Sequence, residues 1–488
     1  MEKNSDANSY RSIFRSISAF GGVQVFNIFV SLLRGKFVAL FLGPEGMGIS
    51  AVFASSTAAV QQICSLGVNQ AVVKEVASAK DKPGGAGKVI KVCASLLLAT
   101  ALLGGIACVL LSPLLSRLAF GDSSHTWSYV WLGLFVALSI AGGGYLAILQ
   151  GLGEVKRLSK ASLVGGCSGL LFGVPLYWLF GVGGIVPAMI VLAFSTFLFY
   201  YISFRASRRD CAPLAGETMT AEDGANLARR LVSLGMVLLA GGLVGTVTQY
   251  AIVLYVKTFG SSETLGFYQA ANSITNQYIG IVVSALSMDY FPRLSAVGDD
   301  RGGLNTVVNR QIEMVVLVAV PILVCLILTA PLVIRILLTD EFMPVAPLMR
   351  WLGLGMMFQA VGFPFGYIFV ARGDRRLYFW IECVWCNLLW LACSVGGFYF
   401  WGLTGLGVSL VVRNMIDIAV YSVICRRRYG VMFSAQTLRT MIPYILVCTA
   451  CFCLSLSDSV WAYVSMSLLF LASATGSAII LKRRFRHS

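Results

Sequence analysis

Charged side chains stand inside long apolar stretches of this chain, where they are expensive to bury. Arg34 and Lys36 lie in the first apolar stretch, and Arg413 and Asp417 lie near the middle of a later one. A charge inside hydrocarbon costs about 2.5 kcal/mol or more, so these side chains are the first candidates for function. Arginine binds phosphate in a bidentate manner, and lysine meets it as a point charge. The three cations therefore predict a site for a phosphate-bearing ligand.

Each of these basic residues also has a structural interpretation. Gly43 marks the end of the first apolar stretch about two helical turns beyond Arg34 and Lys36, so both side chains could extend to the membrane surface. Arg413 is further from either end of its stretch, and Asp417 stands one helical turn away as an ion-pair partner. The sequence leaves binding and structural roles open for all three cations.

Polar side chains with helical spacing form two further stripes in apolar stretches. The stripes are Gln269, Asn272 and Asn276 in one helix and Gln62, Ser65 and Asn69 in another. Residues at i, i+3 or i+4, and i+7 share one helix face. Their amides suit the hydroxyl groups of a sugar, which predicts substrate binding. Hydrogen bonding between neighbouring helices explains the same pattern equally well.

Carboxylates in the apolar stretches are candidates for carrying a coupling ion. They are Glu75, Asp289, Glu313 and Asp417, and Glu382 is a further intramembrane carboxylate. The sequence has no G-x-x-x-x-G-K-[ST] phosphate-binding motif, so ATP is not the expected energy source. We expect any coupling to use an ion gradient or the gradient of the substrate itself.

The sequence gives little support to metal, cofactor or catalytic chemistry. The 2 histidines are His125 and His487, too few for a histidine metal site or a histidine base near a cavity. Cys383 and Cys386 form a C-x-x-C pair, but this pair lies inside a hydrophobic stretch. We predict no cofactor, no metal and no catalytic residue.

The composition identifies lipid as the solvent of this fold. Of 488 residues, 57% are hydrophobic and only 12% are charged, and the mean hydropathy is +0.81. The apolar runs last about 20 to 30 residues, which is the length a helix needs to cross a bilayer. We predict an all-α polytopic membrane protein with about fourteen transmembrane helices.

The net charge of +15 is distributed loop by loop, which favours a topology signal over nucleic-acid binding. Every second loop is basic, from Lys80 and Lys82 to Arg426–Arg428, and the intervening loops contain almost no lysine or arginine. The positive-inside rule therefore places both termini in the cytoplasm. The polar start, residues 1–10, predicts that the first helix is the insertion signal and that no peptide is removed.

An internal duplication relates the two halves at an offset of about 218 positions. SPLLSRLAFGD at 112–122 pairs with APLVIRILLTD at 330–340, and GVGG from Gly181 pairs with GLTG from Gly402. With six helices each, the two repeats would be parallel and would enclose a central cavity. The predicted parts are an N-terminal six-helix bundle (1–204), a cytoplasmic linker (205–228), a C-terminal six-helix bundle (229–428) and an accessory helix pair (429–488).

Three strings resemble the O-antigen translocases, the Wzx-type flippases of lipid-linked oligosaccharides in the multidrug/oligosaccharidyl-lipid/polysaccharide exporter (MOP) superfamily. The strings are RGKFVALFLGPEGMGI from Arg34, LGFYQAANSITNQYIGIVVSALSMDYFPRLS from Leu265 and ILLTDEF from Ile336. The resemblance covers nearly the whole chain. It implies alternating access around a cationic cavity, onto which Arg34, Lys36 and Arg413 map. Many members have twelve helices, so the last pair here departs from the pattern.

The resemblance also implies a substrate and a location. The substrate would be an undecaprenyl-diphosphate-linked oligosaccharide, such as an O-antigen repeat unit, moved from the cytoplasmic to the periplasmic leaflet of the bacterial inner membrane. The expected partners are this lipid-linked substrate and membrane lipids, with polysaccharide polymerase and chain-length machinery as further candidates and no nucleic acid.

Two other functions compete with this reading. A multidrug or toxic-compound exporter would have the same architecture, but its cavity should favour carboxylates for cationic drugs. A membrane-embedded polysaccharide polymerase or glycosyltransferase would need a sizeable loop with catalytic groups, and the predicted periplasmic loops are short. We therefore expect a transporter, not an enzyme.

Overall fold

The computed structural model describes residues 2–79, 85–210, 221–298, 300–457 and 459–486, with side chains from Phe26 onward apart from a few inside the helices. Throughout these ranges the regular elements are helices. They form two compact units, Met1–Leu254 and Tyr255–Ser488. Lys80 and Lys82, which support the predicted topology, lie outside the described residues, and the four-part division of the chain stays a prediction.

The first unit contains α1 to α7 and most of α8. These helices are α1 (Glu2–Cys64), α2 (Val68–Ala79), α3 (Gly85–Leu110), α4 (Ser112–Phe120), α5 (Thr126–Gly151), α6 (Val155–Phe180), α7 (Ile185–Asp210) and α8 (Ala221–Phe259). Helix α3 packs against α5, α5 and α6 pack against α7, and α1 packs against α6. An apolar cluster at one end of the unit buries Val72, Cys93, Ile148 and Leu231 completely. Its members come from six helices, α2, α3, α5, α6, α7 and α8, so it fixes those helix ends to one another.

The second unit contains the end of α8 and all later helices. These are α9 (Ser262–Ala296), α10 (Arg301–Leu337), α11 (Ala346–Ala371), α12 (Arg375–Tyr378), a π-helix (Phe379–Trp385), α13 (Cys386–Tyr429), α14 (Ala435–Ser455) and α15 (Val460–Arg486). Helix α10 packs against α9, α11, α14 and α15. Because it has neighbours on several sides, α10 is apolar on nearly all of its faces.

Ten helical stretches of the described chain are long and apolar enough to cross a membrane. Three of them hold two spans each, because they break at Gly43, at the 3₁₀ turn Gly181–Gly184, and at Gly402. Ten stretches thus contain thirteen spans, and α9, with 35 residues, adds a fourteenth helix of sufficient length. The prediction of an all-α polytopic membrane protein is confirmed.

One predicted helix is wrong in detail. The stripe of Gln62, Ser65 and Asn69 predicts one continuous helix here, but the chain turns between α1 and α2, where Leu66 has φ 49° and Gly67 has φ 62°. A Cβ on Gly67 would lie 2.1 Å from the carbonyl oxygen of Gly235. The backbones of α8 and this segment touch here, so position 67 has no room for a side chain, and hydropathy does not register such a contact.

The sequence duplication is repeated in local backbone geometry. Gly181 has φ 54° and ψ −131°, and Gly402 has φ 56° and ψ −136°. The turns around Gly153 and Gly373 also match. In each, the glycine amide donates to the carbonyl three positions back, at 3.0 and 3.1 Å, and the next amide donates to the carbonyl five positions back, at 3.1 and 3.0 Å. The two halves therefore repeat these turns at corresponding helix ends.

Large aromatic side chains are exposed at helix ends next to the predicted periplasmic loops. Trp127 is 76% exposed, Tyr399 76% and Trp461 79%. Tryptophan and tyrosine are enriched at membrane interfaces, where the ring is half in lipid and the polar atom meets water. These ends therefore fit the outer boundary of the hydrocarbon.

Buried polar contacts fix the final pair, α14 and α15, to the second unit. Glu313 of α10 is only 4% exposed, pairs with Arg484 of α15, and accepts a hydrogen bond from Thr437 Oγ1 of α14 at 2.9 Å. Near the other end of the pair, Arg350 of α11 donates to the carbonyl of Ser455 at 2.5 Å. The helix pair is therefore attached at both ends to the helices beside it.

This arrangement predicts that Glu313→Ala lowers the free energy of unfolding by about 2 to 3 kcal/mol, because the half-buried Arg484 and the buried Thr437 hydroxyl lose their shared partner. The matched control on the same helix is Arg335→Ala, which removes an ion pair with Asp340 whose side chains are 65% and 84% exposed. An exposed pair contributes about 1 kcal/mol or less. Unfolding of the purified protein in detergent measures both, and equal losses would contradict the buried role.

Candidate functional site

A cavity of about 480 Å³ lies within the second unit, bordered by α11, the π-helix and the second half of α13. Several of its walls are aromatic, as with Phe358, Phe363 and Tyr367 of α11. Its polar lining consists of Gln359, Glu382, Arg413, Asn414, Asp417, Tyr367, Tyr378 and Tyr421. All of these bordering elements belong to stretches apolar enough to span a membrane, so the charged groups stand at a cavity among spanning helices.

Arg413 contacts both a carboxylate and an aromatic ring. Its Nε lies 3.2 Å from Oδ2 of Asp417, and its Cζ lies 5.5 Å from the centre of the Trp390 ring. Asp417 is 5% exposed, and its Oδ1 is buried without a hydrogen-bond partner among the described residues. The ion pair that the sequence offered as the structural interpretation is therefore present, and Arg413 lines the cavity as well.

Glu382 enters the cavity from the π-helix. The Tyr421 hydroxyl donates a hydrogen bond to Oε1 of Glu382 at 2.9 Å, and the Cys386 sulfur lies 3.2 Å from the same hydroxyl oxygen. A π-helix leaves backbone carbonyls without their usual partners. Here the side-chain Nδ2 of Asn387 donates to the backbone carbonyl of Cys383 at 2.8 Å. This widened turn sets the position from which Glu382 reaches Tyr421 of α13.

The charges at the cavity do not cancel. Among its described lining residues, Arg413 is the one cation, whereas Glu382 and Asp417 are two carboxylates. A buried excess charge is costly, so one carboxylate must take up a proton or a cation whenever the cavity is closed to water. Ion coupling through Asp417 stays a prediction, and Glu382 is a second carboxylate at the same cavity.

Gly366 of α11 provides the space for the Glu382 carboxylate. A Cβ at Gly366 would lie 2.2 Å from Oε1 of Glu382, so Gly366→Ala is expected to displace this carboxylate while leaving the fold intact. We expect transport to fall about tenfold, which corresponds to about 1.4 kcal/mol. Gly362→Ala is the control, because its Cβ would lie at an ordinary 3.5 Å from Ile418. Transport assays in vesicles compare the two, and equal activity would contradict this packing.

The other two predicted cations belong to the first unit. Arg34 and Lys36 are half-buried on α1, and Arg34 lies within electrostatic reach of Tyr177 of α6. Helix α1 is fixed to α6 nearby, where the Asn27 side chain donates to Ser162 Oγ at 3.0 Å. Binding of phosphate by Arg34 and Lys36 stays a prediction.

The two amide stripes have different outcomes. Gln269, Asn272 and Asn276 share one continuous helix, and Asn276 Nδ2 donates to Oδ1 of Asn272 at 2.7 Å. Their role in sugar binding stays a prediction.

The stripe of Gln62, Ser65 and Asn69 is not one helix face, because the turn between α1 and α2 falls inside it. Gln62 lies against α8, since a Cβ on Gly242 would be 2.7 Å from Nε2 of Gln62. Asn69 lies against α5, since a Cβ on Gly143 would be 3.2 Å from Nδ2 of Asn69. These two amides therefore stand at helix contacts, and substrate binding by Gln62 and Asn69 stays a prediction.

The predicted coupling carboxylates differ in their surroundings: some are held in ion pairs away from the cavity, and one lines it. Glu75 forms an ion pair with Arg230 at 3.1 Å, Glu313 is held by Arg484, and Asp417 lines the cavity. The side chain of Asp289 lies outside the described residues. Local spacing gives no reason to choose Glu382 as a coupling candidate, because its hydrogen-bond partner Tyr421 is 39 positions away in the sequence. An isolated carboxylate in an apolar stretch was the one signal for it in the sequence.

Fold and site together define the chain as a multi-pass membrane transporter. The chain belongs to the family described as polysaccharide biosynthesis protein, whose model matches residues 37–347, and the model of the lipid II flippase MurJ matches residues 225–473. The predicted resemblance to MOP-superfamily flippases of lipid-linked molecules is confirmed, as is the prediction of a transporter.

Two curated relatives cover most of this chain. The lipid III flippase of Escherichia coli (strain K12) is 24% identical over 365 residues, which are 73% of this chain and 85% of that protein. A Shigella flexneri protein provisionally named an O-antigen transporter is 23% identical over 394 residues, 78% of this chain and 90% of that protein.

Two solved structures share the fold. The lipid II flippase MurJ in an inward closed conformation has a TM-score of 0.71 at 13% identity, over 97% of this chain and 99% of that one. An inward-facing MATE multidrug transporter of the MOP superfamily has a TM-score of 0.68 at 16% identity, over 83% and 94%. Since the MurJ match leaves out 3% of this chain, the final helix pair is part of the shared fold.

Proposed function

We propose that the chain flips an undecaprenyl-diphosphate-linked oligosaccharide, an O-antigen repeat unit or a similar surface-polysaccharide unit, from the cytoplasmic to the periplasmic leaflet of the bacterial inner membrane. The observation that carries this proposal is Arg413, an arginine at a cavity among membrane-spanning helices, within reach of a dissociable carboxylate partner. The lipid III and lipid II flippases named above support a lipid-linked substrate. The family and the curated relatives do not favour a multidrug exporter.

The geometry at Arg413 suggests how ion and substrate would be linked. While Glu382 and Asp417 are both ionised, Arg413 is paired with Asp417, lies within electrostatic reach of Glu382, and is poorly available to a phosphate. When one carboxylate takes up a proton or sodium ion, Arg413 is freer to attract a diphosphate. Such coupling is reciprocal, so bound diphosphate would in turn favour loading of the carboxylate. An alternating-access transition would then expose both the occupied substrate site and the loaded carboxylate to the other side of the membrane.

The remaining predicted residues have complementary roles in this proposal. Arg34 and Lys36 add positive charge for the diphosphate, while Gln269, Asn272 and Asn276 offer amides to sugar hydroxyls. Polysaccharide polymerase and chain-length machinery would receive the substrate after flipping.

The deciding experiment uses vesicles that contain the purified protein and defined lipid-linked sugars. Exposure of the sugar on each leaflet is scored with a membrane-impermeant lectin or enzyme, with and without a proton or sodium gradient. We expect prenyl-diphosphate sugars to flip and cationic dyes not to compete for binding. Transport of the dyes without movement of the lipid-linked sugar would contradict the proposal.

A further inference from the structure

The first unit contains a second cavity, of about 660 Å³, which the proposed function does not use. It lies between the beginning of α3, the end of α5 and the end of α7. Its lining includes Lys91 and Ser95 of α3, Tyr145 of α5, and Tyr201 and Arg205 of α7. These helix ends adjoin loops whose basic residues predict the cytoplasmic side.

Two cations from different helices face this cavity. Arg205 is held in place by Tyr201, since its Cζ lies 5.6 Å from the centre of that ring, and Tyr145 packs edge-on against Tyr201 at 5.3 Å. Lys91 and Arg205 are both exposed, and neither forms an ion pair within the part of the chain that the structure describes. No carboxylate is among the lining residues that the structure describes. The described lining of the cavity therefore offers two positive charges and no anion.

The wall behind these cations belongs to the buried core of the unit. Ile90 and Phe204, which line the cavity, are members of the apolar cluster around Val72 and Ile148, and Tyr145 packs against it. Lys91 and Arg205 thus project from helices that are fixed to each other. The helix positions that carry the two cations are therefore fixed before binding, which removes the backbone part of the cost of ordering the site.

We propose that this cavity binds the phosphate group of a membrane lipid at the cytoplasmic leaflet. Basic pockets between transmembrane helices on the cytoplasmic side are suited to anionic headgroups, and arginine adds bidentate geometry. The volume falls in the range of ordinary ligand sites, about 300 to 1,000 Å³, so a phosphate with its attached headgroup fits. The phosphate comes either from an anionic phospholipid or from a prenyl diphosphate, and both present the same chemistry to Lys91 and Arg205.

The test measures lipid binding by the full-length purified protein. Native mass spectrometry in detergent quantifies retention of phosphatidylglycerol and, separately, of undecaprenyl diphosphate, with phosphatidylcholine as the neutral reference. In the double variant Lys91→Gln/Arg205→Gln we expect affinity for the anionic lipid to fall about 30-fold, since each basic residue near an anionic surface contributes about fivefold. Lys156→Gln/Lys160→Gln, which removes two exposed cations elsewhere on the first unit, should leave the affinity within about twofold.

A second pair of variants separates placement from charge. Tyr201→Leu keeps both cations but removes the ring beneath Arg205, and we expect about threefold weaker binding, whereas Tyr201→Phe keeps the ring and the affinity. Loss of phosphatidylglycerol in the double variant identifies a phospholipid site, and loss of undecaprenyl diphosphate alone identifies a substrate site. Equal retention of both lipids by the two double variants would overturn the proposal, whatever the outcome of the flipping assay.

Discussion

Arg413→Ala is expected to reduce flipping of a lipid-linked oligosaccharide by about 100-fold or more. The substitution leaves Asp417, 5% exposed, and the neighbouring Glu382 without their cation, and removing one partner of a buried ion pair costs about 3 to 5 kcal/mol. It also removes the phosphate-binding group proposed for the cavity. The measurements are leaflet exposure of the sugar in vesicles and the amount of folded protein recovered in detergent.

A double variant decides which of these two roles of Arg413 matters. Arg413→Gln/Asp417→Asn removes both charges of the pair, which are 3.2 Å apart, and so restores the balance of charge without restoring a cation. If Arg413 binds phosphate, flipping stays low although stability recovers. Full recovery of flipping in the double variant would show that Arg413 serves only to neutralise Asp417, and would remove it from substrate binding.

Glu382→Gln is expected to uncouple flipping from the ion gradient. Glutamine keeps the shape of the side chain and can still accept the Tyr421 hydrogen bond of 2.9 Å, but it cannot take up or release a positive charge. One charge moved through about 100 mV corresponds to about 2.3 kcal/mol, so the gradient-driven excess of sugar in the outer leaflet should fall by up to about 50-fold. The measurement compares vesicles with and without a proton or sodium gradient.

The controls for this experiment come from the same chain. Tyr421→Phe removes the hydrogen bond but keeps the carboxylate, so coupling should persist. Glu75→Gln removes an intramembrane carboxylate that the structure places in an ion pair with Arg230 at 3.1 Å, and its coupling should also persist. Uncoupling by Glu75→Gln together with normal coupling in Glu382→Gln would move the ion site away from the cavity of the second unit.

Much of the site could be anticipated from residue type and local spacing. Arg413 and Asp417 are one helical turn apart, so their ion pair follows from helix geometry alone. The stripe of Gln269, Asn272 and Asn276 also lies on one helix, as its spacing predicts. In these cases the partners are close in sequence, and the helix fixes their relative positions.

The remaining features depend on contacts between distant segments. Glu382 meets Tyr421 across 39 positions, and Glu75 meets Arg230 across 155. The turn at Gly67, where Gly235 approaches closely, separates Gln62 from Asn69, so a face predicted from spacing does not exist. Hydropathy cannot register a backbone contact between two apolar helices, because the residues on both sides look equally apolar.

The membrane location, most of the helices and the duplication follow from local features of the sequence. The length of an apolar segment decides whether it spans lipid, and the charge of a loop decides on which side it lies. Glycine turns such as those at Gly181 and Gly402 recur at matching positions of the two repeats. Only the tertiary structure decided which intramembrane charges are satisfied and which stand at a cavity. In lipid every buried charge needs a partner, and that partner is chosen by the packing of helices far apart in the chain.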